Sequence, residues 1–312
     1  VAGARYDQND ERSPNAAGAS DPSCMRAMTA AVRAFFDQAT NTISYLVQDP
    51  QTNAAAIIDP VLDYDQGSGQ FATTSADAII AAARDLHIHW VLETHVHADH
   101  LSAAPYIAAK TGARIGIGEH VRDVQRIFIP VFTATDITPD GAAFDHLFAD
   151  DETFSLGTLP VRVLHTPGHT PACVAYLIGD AVFVGDTLFM PDFGTARADF
   201  PGGDARMLYR SIQRVLALPP DTRLFVCHDY KAPGRETFAW ETTVGAQRDH
   251  NRHVHAGVTE AEFVALREAR DRTLTAPALL HQSIQVNIRA GHLPPPDVNG
   301  VRYLRVPITP RS

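Results

Sequence analysis

The segment "THVHADH", Thr94 to His100, sets three histidines and an aspartate within seven residues. Imidazoles and carboxylates are the side chains that hold first-row metal ions. In extended backbone, residues i and i+2 point the same way, so His95 and His97 can grip one ion. Further along the chain stand His169 in "TPGHT", Asp186 in "GDTLF" and His228 in "CHDY". The metal-ligand candidates are therefore His95, His97, Asp99, His100, His169, Asp186 and His228, with Asp186 able to complete one ion or bridge two. Cys227 reads as a small buried residue rather than a ligand. The second "HVH", His253 to His255, has no Asp-His pair after it and no apolar strand before it, so no metal is expected there. His87, His89, His120, His146, His165, His250, His281 and His292 read as ordinary surface or core histidines without a role.

What must position these groups is visible in the residues before them. His95 follows "WVLET", His169 follows "VRVLHTPG", Asp186 follows "AVFVG" and His228 follows "RLFVC". Each candidate lies one short turn beyond an apolar run of strand type, and strand ends of a sheet-based domain gather along one rim. From about Val32 to Ala232 such runs alternate with Ala-rich helical stretches, "TTSADAIIAAARDLH" and "DHLSAAPYIAAKTG", which is α/β patterning. In the second stretch Asp99 is expected to cap the helix and Gly112 to stop it in the left-handed conformation. "LIGDAVFVGD" reads as a hairpin turning at Gly179-Asp180 and ending at Asp186.

Composition bounds the function. The 312-residue chain is 45% hydrophobic, enough for a sizeable core. A net charge of −10 offers no basic field for nucleic acid or anionic membranes, and no apolar stretch has bilayer length. Three widely spaced cysteines, Cys24, Cys173 and Cys227, make neither a disulfide framework nor a thiolate metal knuckle. No basic-then-apolar leader is present at the amino terminus, and a cytoplasmic location is expected. Residues 1–28 read as a loose extension, with a translation start expected at Met25 or Met28. Residues 29–235 read as the catalytic domain. Residues 236–312 read as a tail with two helices, "TEAEFVALREARDR" and "APALLHQSIQVNIRAG", and an extended proline-rich end. In the first of these helices Phe263, Leu266 and Arg270 are expected to face inward. Extension and tail are candidates for covering a pocket, forming a homodimer contact or selecting a thiol or acyl partner.

In their order and separation, "THVHADH", "TPGHT", "GDTLF" and "CHDY" resemble the metallo-β-lactamase superfamily over residues 32 to 235, which implies a four-layer αββα sandwich with the metal at one rim. "HADHLSAAPYIAAKTGA", "ARADFPGGDA" and "CHDY" most resemble its persulfide dioxygenase branch, which oxidises glutathione persulfide to sulfite and glutathione with O2 and one iron. That likeness implies iron(II) held by His95, His169 and Asp186, with His97, Asp99, His100 and His228 orienting ligands and waters behind them. It also implies that Arg197, Thr170 and Tyr230 line the thiol pocket, Arg197 gripping a glutathione carboxylate. Thr195 stands where better-known members carry a cysteine. Two alternatives stay open. The same residues can hold two zinc ions for thioester hydrolysis as in glyoxalase II, with His95, His97 and His169 on one, Asp99, His100 and His228 on the other, and Asp186 bridging. A non-catalytic module could keep the metal for stability.

Overall fold

The computed structural model describes residues 29–308; the expected loose extension and translation start lie outside them. Two six-stranded sheets form the centre. The first has the order β1-β2-β3-β6-β8-β9, from Ala31–Asp37 (β1), Thr42–Gln48 (β2), Ala54–Ile58 (β3), His87–Leu92 (β6), Arg114–Gly118 (β8) and His146–Phe148 (β9). The second has the order β10-β11-β12-β13-β14-β15, from Thr153–Leu156 (β10), Leu159–His165 (β11), Val174–Ile178 (β12), Ala181–Phe183 (β13), Arg223–Phe225 (β14) and Glu241–Thr243 (β15). β11 shows why the faces differ. Leu159, Val161 and Val163 are buried while Pro160 and Arg162 are exposed, the two-residue period of a strand with one face on a core.

Tyr45, Ile58, Leu92, Phe148, Val163, Tyr176 and Phe183 fill the space between the sheets. Helices Thr74–Ala82 (α1), Ala104–Thr111 (α2), Val121–Phe132 (α3) and Leu280–Asn287 (α7) cover the first sheet, pressing Ile79, Ile107, Phe128 and Ile284 onto Ile57, Val91 and Ile115. Helices Ala205–Leu216 (α4), Val244–His250 (α5) and Glu260–Asp271 (α6) cover the second, pressing Leu208, Val244 and Phe263 onto Val182 and Leu224. This is the four-layer αββα sandwich. A small sheet of Gln70–Ala72 (β5), Val61–Asp65 (β4) and Leu101–Ser102 (β7) flanks it.

Three expectations change. Asp99 caps no helix: Leu101 and Ser102 pair with β4, which delays helix α2 to Ala104, and the Asp99 carboxylate turns to His100 and His228 instead. Gly112 does stop that helix, with φ +77°. The buried stripe of α6 is Phe263, Val264, Arg267 and Asp271, with Arg270 exposed, because a buried ion pair occupies the inward face. Finally, the segment after 235 is woven into both halves: β15 completes the second sheet and α7 packs beside β7 in the first half.

Candidate metal centre

The chain delivers each ligand candidate from a strand end. β6 leads to His95 and His97, and β14 to His228, whose neighbour Cys227 accepts a 2.7 Å bond from the Ile43 N–H and so ties this rim to β2. β11 leads to His169 through a Pro-Gly turn. Gly168 has φ +138°, and a Cβ there would lie 2.2 Å from the Leu208 nitrogen, so the turn passes against α4 only as glycine. The hairpin turn at Gly179 (φ +57°) returns the chain to β13, and the tight turn Gly185–Thr187 presents Asp186.

One atom of each histidine is held from behind, and the other faces inward. His95 Nδ1 lies 3.0 Å from Thr94 Oγ1, His97 Nε2 3.0 Å from Asp59 Oδ1, and His169 Nδ1 2.8 Å from the Arg197 carbonyl. The Thr42 hydroxyl lies 3.4 Å from Nδ1 of both His100 and His228. Turned inward, His95 Nε2, His97 Nδ1, Asp99 Oδ2, His100 Nε2, Asp186 Oδ1 and His228 Nε2 are buried with no hydrogen-bond partner. Each such group costs about 1–3 kcal/mol if left unsatisfied. A cation offsets the whole set, and imidazole and carboxylate donors suit a divalent transition metal. The residues present fit a metal.

They gather in two groups whose ligand atoms lie within 4.8 Å of one another: His95, His169 and Asp186, and His97, Asp99, His100 and His228. Asp186 stands between them. Its Oδ2 lies 3.7 Å from His169 Nε2 and 4.0 Å from His95 Nε2, and its Oδ1 lies 3.4 Å from His228 Nε2. The ligand atom of His97 thus falls with the second group, although its ring centroid lies 4.1 Å from that of His95. Cys227 also lies within that reach of Asp186 and His228. Burial above all, then nearby carboxylates, pushes its thiol pKa well up, consistent with a thiol donating toward Asp59 at 3.6 Å.

Burial, then repulsion from His97 and His169, holds His95 well below the usual histidine pKa, keeping it neutral and ready to ligate. Burial also lowers His100. For His97 burial is outweighed by Asp59 and Glu93, which hold its pKa well up. For Asp99 burial is outweighed by His228 and His100, which hold its carboxyl well down.

Asp59, Glu93 and Asn287 were not foreseen. Asp59 accepts from the Thr94 N–H and hydroxyl at 2.7 and 2.8 Å, fixing the start of the ligand loop. It too follows an apolar strand, "AAAII", and that position was the signal available. Asn287 of α7 donates to the His97 and His100 carbonyls at 2.9 and 2.8 Å.

A cavity of about 540 Å³ opens on this centre. Asp99, His169 and Asp186 line it at the metal end, and Phe189, Phe193 and Phe200 supply apolar wall. Arg197 and Tyr230 also line it, Tyr230 stacked on His228 at 5.8 Å between ring centroids. Thr170 does not line it: it is buried, with its hydroxyl 3.1 Å from Cys173 Sγ. Thr195 is held by His253, whose Nδ1 lies 3.1 Å from the Thr195 nitrogen, so the second "HVH" motif braces the pocket wall.

A family model described as the metallo-beta-lactamase superfamily matches residues 39–228. The chain belongs to the metallo-β-lactamase superfamily. Among superfamily members it is 54% identical to the "Probable metallo-hydrolase" of Burkholderia pseudomallei, covering 89% of this chain and 98% of that one. It is 47% identical to "Glyoxylase B2" of Dictyostelium discoideum, over 89% and 97%. The crystal structure of ETHE1 from Myxococcus xanthus superposes with TM-score 0.66 and 31% identity, over 84% of this chain and all of that one. The Bos taurus protein "Persulfide dioxygenase ETHE1" is 25% identical over 85% of this chain and 90% of that one. The chain spans 65% of the length of the "Beta-lactamase hydrolase-like protein" of Xylella fastidiosa, to which it is 52% identical over 90% of its own length. Among the described residues no helix is long and apolar enough to cross a membrane.

Proposed function

We propose that the chain is a persulfide dioxygenase-like oxidoreductase with one iron(II) held by His95, His169 and Asp186, acting on a small glutathione-derived persulfide with O2. The observation that carries this reading is the cavity. It reaches His169 and Asp186 of the triad and only Asp99 of the second group, whereas His95, His97, His100 and His228 are not part of its lining. The 31% identity to ETHE1 from Myxococcus xanthus supports it. Bound iron(II) would supply redox chemistry that zinc lacks. The chain's own groups do the rest. Thr94 and the Arg197 carbonyl fix the His95 and His169 rings, and the phenylalanine wall keeps bulk water from the sulfur. The overall reaction balances with persulfide, O2 and water entering and thiol, sulfite and two protons leaving.

A second reading has one specific observation in its favour. Asp186 offers an oxygen to each ligand group, as the bridge of a two-zinc thioester hydrolase would, and the 47% identity to Glyoxylase B2 agrees with it. The two separate in one comparison. Iron-loaded protein is expected to consume oxygen saturably with glutathione persulfide at one iron per chain. No uptake, together with fast cleavage of S-lactoylglutathione by protein carrying two zinc ions, transfers the assignment to the hydrolase.

A further inference from the structure

Three arginines line the cavity, and two are already committed. Arg197 donates Nε and Nη2 to the Asp199 carboxylate at 2.6 and 2.8 Å and Nη1 to the Thr275 carbonyl at 2.7 Å. Arg267 is buried, with Nε 2.9 Å from Asp271 Oδ1 and Nη1 3.0 Å from the Thr195 carbonyl. Arg270, in the last turn of the same helix, is exposed and its guanidinium makes no hydrogen bond or ion pair among the described residues.

Its surroundings favour an incoming anion. Partial burial, then the neighbouring Arg267 and Arg252 guanidiniums, depress the Arg270 pKa. Asp271 opposes this, but its oxygens already serve Arg267 and the Ala198 N–H, the latter at 2.9 Å. Asp99 and Asp186, the only carboxylates in the lining among the described residues, belong to the metal end. The wall supplied by the tail sets Arg270 beside Leu274, Pro277 and Leu279, so that among the described residues Arg270 is the one lining cation without a paired acceptor. A planar guanidinium fork matches a carboxylate in two parallel hydrogen bonds.

We propose that Arg270 is the anion anchor of this cavity, binding a substrate carboxylate remote from the sulfur, and that Arg197 shapes the wall without binding substrate. The thiol class of the ligand rests on the function proposed above; the anchor rests on the cavity alone. The discriminating probes are glutathione and its diethyl ester, titrated calorimetrically into metal-loaded protein. Wild type is expected to bind glutathione more tightly than the ester. Arg270→Gln is expected to lose about tenfold or more for glutathione and little for the ester. Arg197→Gln is expected to keep the preference for the free acid. Equal binding of glutathione by Arg270→Gln and wild type, loss of the preference in Arg197→Gln instead, or binding of neither probe by wild type would each overturn the proposal. Oxygen uptake, measured separately, reports on the dioxygenase reading, so a silent oxygen electrode beside a selective calorimetric loss would remove that reading and leave the anchor.

Discussion

His95→Ala is expected to strip the metal from the centre: iron per chain falls from one to below about a tenth, and oxygen uptake falls to background. His95 Nε2 is buried and unpartnered, and it shares the triad with His169 and Asp186. Loss of a group that merely orients a ligand costs roughly 10–100-fold in metal affinity, and loss of a ligand from a three-ligand site exceeds that. His228→Ala is the informative companion. It leaves the triad intact, so with one iron at the triad the metal stays and only turnover falls. In a two-zinc centre the same change removes one of two equivalents. Metal analysis against protein concentration, with circular dichroism to confirm folding, checks both. A His95→Ala protein that keeps a full equivalent of iron contradicts its assignment as a ligand.

The candidate ligands were legible because they share a local signature that survives in one dimension. An apolar run followed by a short turn and a metal-type side chain marks a strand end, and His95, His169, Asp186 and His228 each stand there. Asp59 shares that position but lacks a neighbouring ligand motif, and its partner His97 lies thirty-eight residues away. The Asp99 cap failed for a tertiary reason: pairing of Leu101 and Ser102 with β4 holds the chain extended for two residues where local pattern favoured helix. Period alone placed helix α6 in the tail and turned Phe263 inward, but it put Arg270 on the buried face where Arg267 and Asp271 stand, since an arginine and an aspartate four residues apart ordinarily mark a solvated surface. Contacts such as Asn287 to the His97 carbonyl join segments 190 residues apart and leave no trace in spacing.

Arg267 supplies the other large expected effect. Arg267 and Asp271 form a pair with side chains 2% and 6% exposed, and breaking such a pair by removing one partner strands the other charge. Arg267→Met is expected to lower stability by about 3–5 kcal/mol, measured by denaturant unfolding. The pair also holds the pocket wall. Arg267 grips the Thr195 carbonyl and Asp271 the Ala198 N–H, and between those two points the Arg197 carbonyl meets His169 Nδ1. Iron affinity should therefore fall roughly 10–100-fold as the His169 ring loses its support. The double variant Arg267→Met/Asp271→Leu separates the two effects. Removing both charges relieves the stranded carboxylate and should restore much of the stability. It cannot restore the acceptor for Ala198 or the donor for Thr195, so iron affinity should stay low. Recovery of iron affinity together with stability would show that His169 is positioned without this pair.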